Sequence, residues 1–146
     1  MLVGELLVTA RTRLATLAVS AQLIEAARLL GTGTDIVVVC SADGVLSGVV
    51  TKTDVVGRIS RCNGSSCTTA VSSVMTQDVA VCRQDDPVDE VWSRMKARGL
   101  KNVPVTDEQS RPVGMLYARD VLQALLHEVE NEESLLRDYV MTVGYH

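Results

Sequence analysis

Residues 36–55, IVVVCSADGVLSGVVTKTDV, and residues 102–121, NVPVTDEQSRPVGMLYARDV, can be laid over one another from end to end without a gap. Five of the twenty positions are identical: Val37/Val103, Val39/Val105, Gly48/Gly114, Asp54/Asp120 and Val55/Val121. Identity that low shows little by itself, and the surrounding pattern carries the repeat. Upstream, Leu23, Ala26, Ala27 and Leu30 stand at i, i+3, i+4 and i+7, one apolar face of a helix. Val88, Val91, Trp92 and Met95 keep the same spacing with a one-residue slip, which falls between GTGTD (31–35) and KARGLK (96–101). Downstream, Val55, Val56 and Ile59 answer to Val121, Leu122 and Leu125. Two copies of one supersecondary unit follow.

Each copy reads as strand, helix, strand, strand, helix. The first strands are expected at about 14–18 and 79–83, and the hairpins at 36–40/45–50 and 102–106/112–117. Asp43-Gly44 is a strong hairpin turn; the second hairpin has the looser connection Glu108-Gln109-Ser110. In the second copy Asp86 is expected to cap the helix, with Pro87 at its first position and Asp89 and Glu90 favouring its positive end. Lys96, Arg98 and Gly99 close that helix. The last helix of each copy is expected to open at Asp54 and at Asp120. A single unit of roughly 50–60 residues buries too little surface to be comfortably stable, so the two pack as one domain of the α/β (α+β) class. The expected boundaries are 1–60 for the first repeat, 61–72 for a polar connector (it holds SRCNGSSCTTAVS from Ser60), 73–127 for the second repeat and 128–146 for a helical tail.

At 146 residues the chain is one domain's length, with a formal charge of −4 and a pI near 5.1. So acidic a chain has no general attraction for phosphate backbones, and 3% aromatics leave few stacking platforms, so no nucleic-acid partner is expected. Apolar types at 47% exclude disorder for most of the chain. No apolar run approaches the roughly 18–20 residues of a membrane span. The opening MLVGELLVTARTR lacks a basic n-region, and Glu5 interrupts its apolar stretch, so no signal peptide is expected. Four cysteines without a signal point to a reducing cytoplasm.

Three stretches together resemble a known family. Ser73-Val74-Met75-Thr76 leads into the second repeat, Asn102-Val103-Pro104-Val105 forms its middle strand, and Gly48-Val49-Val50-Thr51-Lys52-Thr53-Asp54 closes the first. The chain is similar to a tandem CBS domain pair, the Bateman module, over about residues 3–127. The last stretch is that family's Gly-x-x-Ser/Thr-x-x-Asp signature. The resemblance implies two pseudo-twofold-related β-α-β-β-α repeats packed through their sheets, here with an extended C-terminal helix. It further implies a regulatory ligand held between the repeats: AMP, ADP or ATP, with S-adenosylmethionine or NAD as alternatives.

The signature has a physical logic. A carboxylate at a helix start accepts both vicinal hydroxyls of a ribose. Thr51 and Thr53, on one side of an extended segment, can join the amides of a helix N-terminus around a phosphate. By family geometry the nucleotide held by Asp54 also touches the other repeat, at Val79 to Cys82, Val81 among them, and at Lys101, Asn102, Val103 and Pro104; Gly48 completes the first-site set. The plainer reading of Asp54 is a helix cap, and of the threonines strand propensity. The second signature, Gly114-Met115-Leu116-Tyr117-Ala118-Arg119-Asp120, puts a phenol where a small hydroxyl is usual. Tyr117 is expected to fill phosphate space, while Arg119 offers a fork suited to phosphate. A second site from Asp120, Arg119, Tyr117, Ile36 and Val37 is therefore expected to differ from the first.

No catalytic residue or metal ligand is expected. The two histidines, His127 and His146, sit on a helix and at the end of the sequence, and no nucleophile elbow, Walker loop or His-Glu-x-x-His is present. Cys62 and Cys67 in the connector make a thiol or metal sensor the third reading, although a tetrahedral site needs four ligands. The tail, with Val121, Leu122, Leu125, Val129 and Leu136 and then LLRDYVM (135–141), either folds back on its domain or forms an interface. A mean hydropathy of +0.18 favours a homodimer. The expectation is a stand-alone, bacterial, cytoplasmic nucleotide sensor, non-enzymatic, acting through dimer geometry or an unknown protein partner. The rival is a ligand-free dimeric scaffold with vestigial clefts.

Overall fold

The computed structural model describes residues 1–60 and 69–143, with side chains to residue 140. A 3-10 turn over Val3–Leu6 runs into α1 (Leu7–Arg13), followed by β1 (Thr16–Ala18), α2 (Leu23–Leu30), β2 (Ile36–Cys40), β3 (Leu46–Thr51) and α3 (Lys52–Ile59). After a second 3-10 turn, Val71–Ser73, come α4 (Val88–Arg98), β4 (Asn102–Thr106), β5 (Pro112–Tyr117) and α5 (Ala118–Val143). β1 pairs parallel with β2, β2 antiparallel with β3, and β4 antiparallel with β5. The hairpins lie where the sequence puts them, Gly44 taking φ 81° in the first and Ser110 φ 63° in the second.

Three local expectations need correction. The strand expected at 79–83 is reduced to one bridge, Cys82 to Val105, parallel; only the residue facing a middle-strand partner stays in the ladder. Asp86 does not cap α4: its Oδ2 accepts the Arg83 amide at 2.9 Å, a turn closed behind the helix, and Pro87 is the N-cap. The third helix opens at Lys52, not Asp54, because Thr51 and Asp54 form a reciprocal capping box. Gly99 does end α4 in the left-handed conformation, φ 63°.

The middle strand β2 is apolar along its length, and β4 is so over Val103-Pro104-Val105, because both faces are covered. Val37 and Val39 point into a core with Leu23, Ala26 and Leu30 of α2. Val103, Val105 and Leu116 face Val88, Val91 and Met95 of α4. Between the repeats lies a third cluster, Ile36, Val38 and Val49 against Met115 and Tyr117. The leading segments cross over: Val3, Leu7 and Ala10 complete the core under α4, while Val71, Val74 and Met75 complete the one under α2. Matching bridges fasten them, Leu2 to Pro87 and Gln22 to Ala70.

The crossing requires glycine at two equivalent places. A Cβ on Gly48 would stand 2.7 Å from the Thr76 carbonyl oxygen, and one on Gly114 2.9 Å from the Ala10 Cβ. From Val129 to Val140 every residue of α5 is exposed, so the tail does not fold back on its domain.

Candidate functional site

An open cleft of about 610 Å³ lies between the repeats. Repeat 1 supplies Thr51, Lys52 and Thr53 from the β3–α3 junction, with Asp35 and Ile36 from the start of β2. The other wall holds Thr76, Asp78, Val79 and Ala80 from the crossing segment, then Arg98 to Asn102 and Pro104. Five residues expected at the first site therefore meet here: Thr51, Thr53, Lys101, Asn102 and Pro104. Thr51 and Thr53 do so from the N-cap and first turn of α3 and not from one extended strand.

Asp54 stands just outside. It lines an adjoining cavity of about 340 Å³ with Gly57, Arg58, Ser73 and Val74, and Thr53 is common to both spaces. The Oδ2 of Asp54 accepts the Thr51 amide at 2.9 Å and the Thr51 hydroxyl at 3.1 Å. Its Oδ1 has no protein partner among the described residues. Gly48, Val81 and Val103 do not line the cleft. Val103 is buried in the core under α4, and Gly48 makes room for Met75 and Thr76.

Charge separates the cleft from the rest of the molecule. Lys52, Arg98 and Lys101 against Asp35 and Asp78 give a lining charge of +1 in a chain of −4. Lys52 approaches Asp35 at 3.9 Å. The α3 N-terminus adds amides that have no acceptor further back in the helix. Arg98, Asp35 and Asp78 escaped the sequence reading: Arg98 looked like a helix-ending charge, and the aspartates belong to no motif.

The second signature is arranged differently. Tyr117 is 3% exposed, and its hydroxyl oxygen accepts the Asp35 amide at 3.2 Å. The guanidinium of Arg119 lies 4.8 Å from the Tyr117 ring centre and that of Arg13 5.0 Å. Arg119 also pairs with Asp35 at 3.5 Å. Arg13 donates from Nε to Asp120 Oδ2 at 3.0 Å and from Nη2 to Oδ1 at 3.1 Å, and that hydrogen-bonded pairing raises the Arg13 pKa. Ile36 is buried at the interface between repeats. Val37, expected at this site, faces α2 in the core of repeat 1, because alternate residues of a strand face opposite ways.

Among the described residues no group of three or more His, Cys, Asp or Glu side chains could hold a metal ion. Cys62 and Cys67 lie outside the described residues. Cys82 is buried with its Sγ 3.7 Å from the Pro104 carbonyl oxygen, and burial pushes its thiol up to about 12. No helix among the described residues is long and apolar enough to cross a membrane.

The CBS domain family model matches residues 3–61 and 71–127. Among solved structures, the chain is similar to a CBS-domain containing protein from Agrobacterium tumefaciens, 29% identical, TM-score 0.71, over 85% of this chain and 98% of that one. A CBS domain pair solved in complex with 5′-methylthioadenosine and S-adenosyl-L-methionine is 24% identical, TM-score 0.71, over 88% and 98%. A protein described as a putative acetoin utilization protein from Vibrio cholerae shares the fold at TM-score 0.78 and 19% identity, over 92% and 96%. Among curated proteins, an L-aspartate semialdehyde sulfurtransferase from Methanosarcina acetivorans is 31% identical over 60% of this chain and 17% of its own length. A homoserine O-acetyltransferase from Methanohalobium evestigatum is 27% identical over 56% and 16%. The chain thus spans about a sixth of the curated relatives it matches. Two matched repeats, crossed leading segments and a cleft between facing hairpins place this chain in the CBS-domain family, as a tandem CBS pair.

Proposed function

We propose that the chain is a regulatory module that binds an adenine nucleotide, AMP, ADP or ATP, in the cleft between the repeats beside Asp54, and reports it through homodimer geometry or a protein partner. One observation carries the reading: an open cleft between the repeats with three cationic side chains, Lys52, Arg98 and Lys101, in its lining, flanked by a helix N-terminus and two threonine hydroxyls, with the Asp54 carboxylate at its edge. The triphosphate or monophosphate would meet Lys52, Lys101 and the α3 amides, and the ribose hydroxyls the open Oδ1 of Asp54, reached past Thr53. The adenosine ligands of the CBS pair described above support the class of ligand, as does the ATP bound to the cytosolic domain of the Mg2+ channel MgtE. The remaining parts are a regulatory and non-enzymatic role, a cytoplasmic setting and the boundaries 1–60, 61–72, 73–127 and 128–146.

Thermal denaturation tests it. A ligand that binds only the native state at a hundredfold excess over Kd adds about 2.7 kcal/mol. That raises Tm by about 5–10 °C for a domain of this size. Asp54→Ala is expected to abolish most of the shift while costing about 1 kcal/mol of capping. Asp54→Asn keeps an acceptor for the Thr51 amide and separates the cap from the charge; its shift should fall with basal Tm nearly unchanged. S-adenosylmethionine and NAD are the other arms. No shift with any of the five ligands overturns the reading in favour of the ligand-free scaffold.

A further inference from the structure

The two repeats carry opposite charges at one equivalent position. Leu17 pairs with Val39 and Cys82 with Val105, both parallel, and Val39 and Val105 are repeat equivalents, so Leu17 corresponds to Cys82. Four residues upstream, Arg13 therefore corresponds to Asp78. The leading segments cross over, so each of these residues faces the other repeat's signature. Asp78 lines the open cleft beside Thr51 and Thr53. Arg13 instead grips both oxygens of Asp120.

We propose that Arg13 is a built-in occupant that closes the Asp120 cleft to nucleosides, and that the arginine–aspartate difference at 13 and 78 decides which cleft is open. This rests on the nucleotide reading above. A carboxylate that already holds a two-pronged guanidinium has one lone pair of each oxygen engaged and its charge matched, and a neutral diol, which forms weaker bonds, does not displace the charged fork. On the Tyr117 side the cleft is engaged as well, while on its other side Asp120 borders a cavity of about 480 Å³ with Thr9, Gln123 and His127. Arg13 and Arg119 both lie against the Tyr117 ring, which is only 3% exposed and so offers little surface for adenine to stack on. The Tyr117 hydroxyl and Arg119 are both tied to Asp35. Beside the first signature, position 78 holds a carboxylate and so offers no guanidinium to take the Oδ1 of Asp54. The chain accordingly takes one nucleotide and not two.

Native mass spectrometry and calorimetry with ATP and AMP test this in wild type, Arg13→Gln, Arg13→Gln/Tyr117→Thr and Asp78→Arg. One nucleotide per wild-type chain is expected, and two for Arg13→Gln/Tyr117→Thr. If that variant does not fold, Arg13→Gln alone must add a second, weaker event. Asp78→Arg should bind none at concentrations that saturate wild type, although an added cation by itself would strengthen attraction for phosphate. Two nucleotides on wild type, one on the folded Arg13 variants, or wild-type binding by Asp78→Arg each overturn the closure while leaving the nucleotide reading standing. Wild type binding none while Arg13→Gln/Tyr117→Thr binds one upholds the closure and removes the Asp54 reading. No binding by either removes both.

Discussion

Asp54 and Asp120 are the same residue at the same place in two copies of one motif, yet they do different work. Asp54 caps its helix through one oxygen and keeps the other open; Asp120 has both taken by Arg13. The motif was legible in the sequence, and so was the oddity of Tyr117. Arg13 was not, because nothing local ties it to a residue 107 positions away. Cys82 shows a similar gap between letter and environment. Burial, and to a smaller extent the nearby Asp86 carboxylate, raises its thiol from 9.0 to about 12. The folded thiol then keeps a proton that the unfolded one loses, so stability falls as pH rises through the window from about 9 to about 12, by up to about 1.4 kcal/mol per pH unit. Urea midpoints between pH 9 and 10.5 should drop in wild type and drop less in Cys82→Ala. Alkylation of Cys82 at pH 8 should follow global unfolding; fast labelling of the folded protein would contradict a buried, protonated thiol.

The hairpins and the two middle helices could be placed from sequence because their signals are local: a turn dipeptide, an apolar face of period 3.6, a terminal glycine. The first strand of repeat 2 could not. Its residues look extended and apolar, but only Cys82 finds a bridging partner, and hydropathy does not record ladder hydrogen bonds. The helix openings were misplaced for a related reason. Thr51 and Asp54 cap reciprocally, and reading Asp54 alone shifts the start by two residues. The crossing of the leading segments was also hidden, and it gives the repeated glycine of the signature a role in packing. Gly48→Ala sets a methyl against the Thr76 backbone, and Gly114→Ala sets one against Ala10. Each should cost about 1–3 kcal/mol as overpacking, measured by urea denaturation. Gly48→Ala should be the costlier, since the Thr76 oxygen and the Met75 Sδ and Cγ would all lie within 3.0 Å of its methyl, against the Ala10 Cβ alone for Gly114→Ala. An unchanged midpoint in both would mean that the leading segments are not clamped as described.

A pair of repeats that share an interface cluster and exchange their leading segments is one folding unit, and what it leaves uncovered is concentrated on its last helices. Val56 and Ile59 of α3 are 64% and 55% exposed, and Leu122 and Leu126 of α5 are 42% and 53% exposed. These pairs sit at near-equivalent places in the two repeats, and an apolar face repeated on α3 and on α5 suits a second copy of the chain. The tail extends it. Leu122, Leu126, Val129, Leu136 and Val140 fall at spacings alternating between four and three, with Glu133 in the one polar place. That is the stripe of a coiled-coil seam, and all five apolar side chains are exposed. Isolated exposed leucines would need no account, but an ordered stripe on a projecting helix does. Sedimentation at micromolar concentration should therefore show a dimer. Truncation after His127 should weaken it, and Leu136→Glu should weaken it similarly while leaving the monomer's fold intact, since residue 136 makes no contact with its own core. Nucleotide binding should survive both changes if the cleft between repeats is formed within one chain. A monomeric 146-residue chain would remove the dimer, and with it the route by which closing one cleft is transmitted to a second subunit.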